Sequence, residues 1–331
     1  MTIQQDMKNI IPGIFFVFPL ALFAWLLGRL MPLVGGPVFG ILLGMMLAVW
    51  KRPAIFQSGI AFTAKKILQG SIILLGFEMN LTHVLKVGSQ SLSIMLFTLS
   101  AAAITAWVIG RYLKLSHTMS ILIGVGTAIC GGSAIAATAP VIAASDQDVA
   151  HSISTIFLFN IAAVFIFPFT GHLIGMSDIG FGMWAGTAIN DTSSVVAAGY
   201  SYSQAAGSFA TIVKLTRTLM IIPVTILLAL WVSGKKTQQP CFNFLTIFPW
   251  FVLGFLAASL MNTSGWIPAD VGQGLAQTGK FLIIMAMTAI GLNTRIQTLI
   301  HNGIKPIVLG LSCWLVIAAV SLAAQYQLAL W

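Results

Sequence analysis

Long apolar runs separated by short polar linkers dominate this chain. A membrane-spanning helix needs about 20 mainly apolar residues. On that rule, segments fall at 10–30, 33–50, 67–85, 90–110, 118–144, 150–174, 182–203, 207–233, 244–262, 278–298 and 305–327. The stretch from Ile55 to Lys66 reads as a short interfacial helix. The first run, Ile10 to Leu27, follows Lys8 and ends in Gly28-Arg29-Leu30-Met31-Pro32, which offers no small-residue cleavage site. It therefore reads as a span and not as a signal peptide.

Two of the runs are interrupted in the same way. One contains Gly126-Thr127-Ala128-Ile129-Cys130-Gly131-Gly132-Ser133, the other Gly186-Thr187-Ala188-Ile189-Asn190-Asp191-Thr192-Ser193. Each has the same four residues, then a glycine-rich or polar break, then serine. A break within lipid leaves backbone N–H and C=O groups unpaired, which is tolerated only where protein or a wet cavity satisfies them. Matched breaks are how secondary transporters build sites between repeats.

Self-comparison shows further repeats. Leu74 to Leu81 matches Ala289 to Ile296 at an offset of 215, and Gly40 and Gly44 match the 249–258 region near an offset of 210. The interrupted pair sits at an offset of only 60, so the second repeat reads as permuted. Repeat one covers about 33–174 and repeat two about 182–327, within a single transmembrane domain. If both interrupted segments are re-entrant hairpins, every matched pair is antiparallel. That makes hairpins the preferred reading over discontinuous crossing helices. The fold class is an all-α polytopic membrane protein with inverted repeats.

Composition agrees. Hydrophobic residues make up 58% of 331 and charged residues only 7%, with a mean hydropathy of +0.98. A soluble domain carries roughly 25% charged residues. The net charge of +9 is spread over linkers, so no nucleic-acid partner is expected. Lys8, Lys51, Arg52, Lys65, Lys66, Arg111, Lys114, Lys235, Lys236, Arg295 and Lys305 fall on one side, against Arg29, Lys86 and Lys280 on the other. The positive-inside rule then puts the N-terminus in the cytoplasm and the C-terminus on the outside. Cys130, Cys241 and Cys313 show no disulfide or zinc spacing. There is no phosphate-binding GxxxxGK[ST] loop, no paired-histidine motif and no nucleophile–base set. Neither a cofactor nor an enzyme activity is expected, and the five histidines and Asp146 and Asp148 read as interfacial or solvated groups.

The candidate chemistry lies at the breaks. Ser133 is the expected N-cap of one half-helix, and Thr192 or Ser193 of the other. Free N–H groups and the positive end of the helix dipole favour an anion there. Cys130, Gly131, Gly132 and Asn190 belong to the same breaks. Lys214 and Arg217 lie three residues apart on one face of segment 207–233, with Arg217 near the membrane midplane. A charge at that depth marks function or a partner, and Asp191 is the expected partner of Arg217. Asn160 lies at a matching depth in segment 150–174.

The residues Ile129 to Ala136 with Pro140-Val141-Ile142, the run Val195 to Gly199, Lys214 with Arg217, and Gly76-Phe77 resemble the YeiH family of bacterial inner-membrane proteins, labelled sulfate exporters. The wider resemblance is to the bile acid/sodium symporter and cation/proton antiporter clan. It implies a panel and a core domain, and broken helices crossing at the site. One departure is Asn190-Asp191, where family members tend to carry His-Glu. The resulting expectation is a secondary transporter of a small anion, sulfate or a sulfonate, coupled to protons or Na⁺. Cys130, Gly131, Gly132, Ser133, Asn160, Asn190, Thr192, Ser193, Lys214 and Arg217 would bind substrate, and Asp191 the coupling ion. A cation/proton antiporter using Asp191 and an anion channel are the alternatives. The expected partners are the small anionic substrate, the coupling proton or Na⁺ and the lipid bilayer, with a homodimer left open.

Overall fold

A computed structural model describes residues 2–31, 35–50, 52–233, 250–294 and 303–328. Lys51, Lys235, Lys236, Cys241, Arg295 and His301 lie outside the described residues, as do the ends of three expected segments: 33–34, 244–249 and 295–298.

The helices in order are α1 (Thr2–Leu30), α2 (Gly36–Leu47), α3 (Ala54–Glu78), α4 (Leu81–Tyr112), α5 (His117–Ala128), α6 (Gly132–Val141), α7 (Asp146–Leu173), α8 (Asp178–Ala188), α9 (Thr192–Tyr202), α10 (Gln204–Leu219), α11 (Ile221–Ser233), α12 (Trp250–Thr263), α13 (Ala269–Asn293) and α14 (Ile304–Gln327). No strand occurs among the described residues. Among the described residues, seven helical stretches are long and apolar enough to cross a membrane. Their outward faces carry Phe15, Trp107 and Phe169 at 73%, 60% and 71% exposure, a surface suited to lipid and not to water.

Two expectations change. Ile55–Lys66 is not a separate interfacial helix, and the span is not 67–85. Ile55–Lys66 and the first part of that span belong to one helix, α3, which ends at Glu78, and residues 81–85 open α4. Lys65 and Lys66 do not stop it, because both side chains face outward from a local π-helical turn at Thr63–Ile67. The true stop is Met79, in extended conformation, after which the Asn80 carboxamide accepts the Thr82 N–H at 2.9 Å and starts α4. Asp146 and Asp148 also move, from loop positions into the first turn of α7.

The chain sorts into two compact units. The first holds Met1–Leu85, Val196–Ser208 and Trp250–Ile296; the second holds Lys86–Val195, Phe209–Pro249 and Gln297–Trp331. In the first, Val17, Ala21, Ala24, Ile60, Ile284, Met285 and Leu292 form a buried core. Here α2 packs on α13 backbone to backbone. A side chain at Gly44 would meet the Leu292 nitrogen at 2.7 Å, and one at Gly291 the Gly44 Cα at 3.0 Å. Small residues permit such approach where lipid supplies no hydrophobic drive between helices. On the far end of α3, a side chain at Gly76 would meet Ala258 of α12 at 2.9 Å. The exposed main chain at the α3–α4 break is satisfied by α12. Ser259 Oγ and Asn262 Nδ2 donate to the Met79 carbonyl at 2.9 and 3.2 Å, and Leu81 N donates to Thr263 Oγ1 at 2.8 Å.

In the second unit, Ala106, Leu122, Ile123, Ile135, Ile156, Leu309 and Cys313 form the core. Trp184 of α8 stacks on Phe167 at 4.1 Å and donates to the Ala318 carbonyl of α14 at 3.1 Å.

Candidate functional site: two interrupted helices held by Lys214 and Arg217

Both breaks fall where the sequence places them. α5 stops at Ala128 and α6 begins at Gly132; α8 stops at Ala188 and α9 begins at Thr192. At the first break the chain reverses through Gly131 at φ 68, ψ −124, which a side chain would strain. The reversal makes α5–α6 a hairpin. Ile135 of α6 packs against Gly126 of α5. At the other end, Ser116, which caps α5, donates to Asp148 Oδ1 of α7 at 3.2 Å. The residues flanking the hairpin therefore lie side by side. Run straight as one helix, the 32 positions that separate them would hold them about 48 Å apart, at ~1.5 Å per residue.

A helix end inside a membrane leaves its last carbonyls without donors. At α5, Ile129 N takes the Val125 carbonyl and Gly131 N the Gly126 carbonyl, at 3.0 and 2.9 Å. The carbonyls of Thr127 and Ala128 go to Arg217, from Nη2 and Nε, both at 2.6 Å. Arg217 Nη1 reaches across to the Ile189 carbonyl at 3.0 Å. Lys214 spans the same gap. Its Nζ donates to the carbonyls of Ile129 at 2.6 Å, Ile189 at 3.1 Å and Asn190. Both cations are 0% exposed. They lie on α10 one turn apart and bind the C-terminal ends of two half-helices into one cluster. The sign is right, since a helix C-terminus carries about half a negative charge.

This corrects the expected pairing of Arg217 with Asp191: among the described residues no ion pair joins them, whereas Lys280 does pair with Glu78. Asp191 instead caps α9. Its carboxylate accepts from the Ser193 N–H at 2.9 Å and from the Ser193 hydroxyl. The N-cap is thus Asp191, and not Thr192 or Ser193. At α6 the capping position is Gly131, with no side-chain cap, and Ser133 stands exposed in the first turn. In both cases the break is tighter than expected, so the helix begins earlier.

Asn160 joins the cluster from α7, its Oδ1 accepting the Asp191 N–H at 3.2 Å. Gly131 lies between Asn160 and the Asn190 backbone. Asn190 is 1% exposed, and neither atom of its side-chain amide has a hydrogen-bond partner. Cys130 is buried at the hairpin tip and is a free thiol. Thr192 and Ser193 are buried at the start of α9, while Gly132 and Ser133 sit at the edge, where Gly132 faces Phe157. Sequence reasoning missed the carbonyl acceptors of Thr127, Ala128, Ile129 and Ile189, since main-chain groups leave no residue-type signal. What could have found them is the pairing itself: two uncapped helix C-termini and two buried cations.

Helices of spanning length, lipid-suited outer faces and a polar cluster buried at paired breaks define a multi-pass α-helical membrane protein. Comparison with known proteins narrows this. Residues 12–310 match the family described as conserved hypothetical protein 698, and the chain belongs to that family. It is 49% identical to a UPF0324 membrane protein of Streptococcus agalactiae, over 98% of this chain and 99% of that one. It is 48% identical to another from Streptococcus pyogenes, over 97% and 98% of the two chains, and 46% identical to one from Fusobacterium nucleatum, over 96% and 98%.

Proposed function

We propose that the protein is a secondary transporter of a small anion, sulfate or an organic sulfonate, with the substrate at the paired breaks and the coupling proton or Na⁺ at Asp191. The observation that carries this reading is a charge imbalance. Lys214 and Arg217 bring two positive charges to the cluster, and Asp191 is the only acid there. The two helix C-termini and the two N-termini that meet there contribute about half a charge each and cancel. The cluster is left with about one net positive charge in a setting of low dielectric, which is costly without a compensating anion.

The location of the substrate follows from where donors remain. The Nζ protons of Lys214 are all used by carbonyls, so it acts on an anion through its field, while Arg217 gives three of its five N–H groups to carbonyls and keeps two. Direct contacts come from the first N–H groups of α6, from Ser133 and Thr192, and from the orphaned Asn190 amide. An orphaned buried amide costs about 1–3 kcal/mol and is retained where a ligand uses it. The helix pairing of the first unit also supports a transporter built from repeats. Gly44 and Gly291 join α2 to α13, and Gly76 joins α3 to α12. That exchanged pairing is what a two-fold relation between the matched segments requires.

Cation/proton antiport is the second reading, favoured by the absence of a basic partner for the Asp191 carboxylate among the described residues. Purified protein in liposomes separates them. Uptake of radiolabelled sulfate or of a labelled alkyl sulfonate, driven by an imposed pH or Na⁺ gradient, is expected for wild type. Asp191→Asn keeps the cap, since Asn caps as well as Asp. It is expected to retain anion binding and lose dependence on the gradient. Na⁺-driven proton flux without anion uptake would replace the first reading with the second.

A further inference from the structure

The first unit contains a separate cavity of about 850 Å³ among α1, α2, α13 and the turn that joins α9 to α10. Among the described residues two cations line it, Arg29 and Lys280, and no carboxylate does. Arg29 lies over the Trp25 ring, 4.9 Å from its centroid, and has no acid partner among the described residues. Lys280 sits 5.7 Å from the centroid of Tyr200 and is held at 2.8 Å by Glu78, which stands outside the lining. Both cations are therefore oriented by neighbours rather than waving in solvent. α9 ends and α10 begins at this turn, so their opposite dipole ends offset each other and the charge of the cavity comes from side chains.

A hydroxyl adds to the case. Ser201 is 2% exposed, lines the cavity, and its Oγ has no hydrogen-bond partner. Gly35, at φ 77, closes on it: a side chain there would meet Ser201 Oγ at 2.7 Å. Leu22, Phe281 and Ile284 form an apolar part of the wall, and Gln204, Gln277 and Thr278 a polar part. The volume falls in the ~300–1,000 Å³ range of sites for organic ligands.

We propose that this cavity is a binding site for an organic anion: a sulfonate, carboxylate or phosphate group held by Arg29, Lys280 and Ser201, on an aromatic or alkyl body packed against Trp25 and Phe281. It is distinct from the site at the paired breaks and does not depend on the transport reading. The ligand is either a soluble organic acid or an anionic lipid, and both present this chemistry.

The test is calorimetric titration of the full chain in phosphatidylcholine nanodiscs with 2-naphthalenesulfonate. Saturable binding is expected, at least tenfold tighter than for inorganic sulfate. Arg29→Gln should weaken it at least tenfold and Arg29→Lys should restore most of it. Lys280 is tested as the double variant Glu78→Gln/Lys280→Gln, which leaves no unpaired acid, and that too should weaken binding. Arg111→Gln, a cation away from the cavity, should leave it unchanged. Nanodiscs containing phosphatidylglycerol separate the sources: competition identifies lipid as the occupant, and its absence a soluble acid. Binding that is indifferent to Arg29 and Lys280, or no tighter than that of sulfate, overturns the proposal.

Discussion

Replacing Arg217 by methionine tests the central structural claim, that this cation serves two helix ends and not an acid. Methionine keeps much of the length without the donors. The substitution leaves the carbonyls of Thr127 and Ala128 without their bonds at 2.6 Å, while the Ile189 carbonyl keeps Lys214. Each orphaned buried acceptor costs about 1–3 kcal/mol, so two cost about 2–6 kcal/mol. Removing a charge from a buried place returns part of its desolvation penalty. Lys214, fully buried one turn away, also loses a like-charged neighbour. These offsets leave a net destabilisation of about 3 kcal/mol. At about 2–4 °C per kcal/mol for chains approaching this size, the melting temperature in detergent should fall by roughly 6–12 °C. Arg217→Lys keeps one donor group and should fall less. The double variant with Asp191→Asn discriminates further. If Arg217 were paired with Asp191, neutralising both would recover stability. Because Arg217 bonds only carbonyls, the double variant should remain as unstable as Arg217→Met. Thermal unfolding followed by intrinsic fluorescence reads all four proteins. A wild-type melting temperature for Arg217→Met, or recovery in the double variant, would refute the reasoning.

Three further outcomes are expected. Gly131→Ala should lower the melting temperature through a backbone strain of about 1–3 kcal/mol, whatever space the new methyl finds, because φ is 68 there. Ser116→Cys with Asp148→Cys, in a background free of Cys130, Cys241 and Cys313, should crosslink with a short bifunctional maleimide, seen as a mobility shift; failure would contradict the hairpin. Gly44→Leu should prevent accumulation of monodisperse protein by size-exclusion chromatography, since α2 and α13 touch through their backbones at that point.

The amino-acid sequence by itself determined the class of protein, because runs of apolar residues this long have no other stable home than lipid. It also determined where the helices break. Gly131 supplies a backbone conformation that side chains resist, and Asn190-Asp191 supplies groups that compete with the helix ladder. Lys214 and Arg217 stood out for the same reason of cost. Tertiary structure decided what those groups touch. Opposite charge made Asp191 the natural partner of Arg217, yet helix termini present partial charges that no residue type announces, and the carbonyls of Thr127, Ala128 and Ile189 took the guanidinium instead. Only packing could merge Ile55–Lys66 with the following run into α3, since two lysines are harmless to a helix when both face outward. Likewise, only the meeting of Ser116 with Asp148 decided that α5–α6 turns back on itself, because the direction of a chain after a glycine depends on what it packs against.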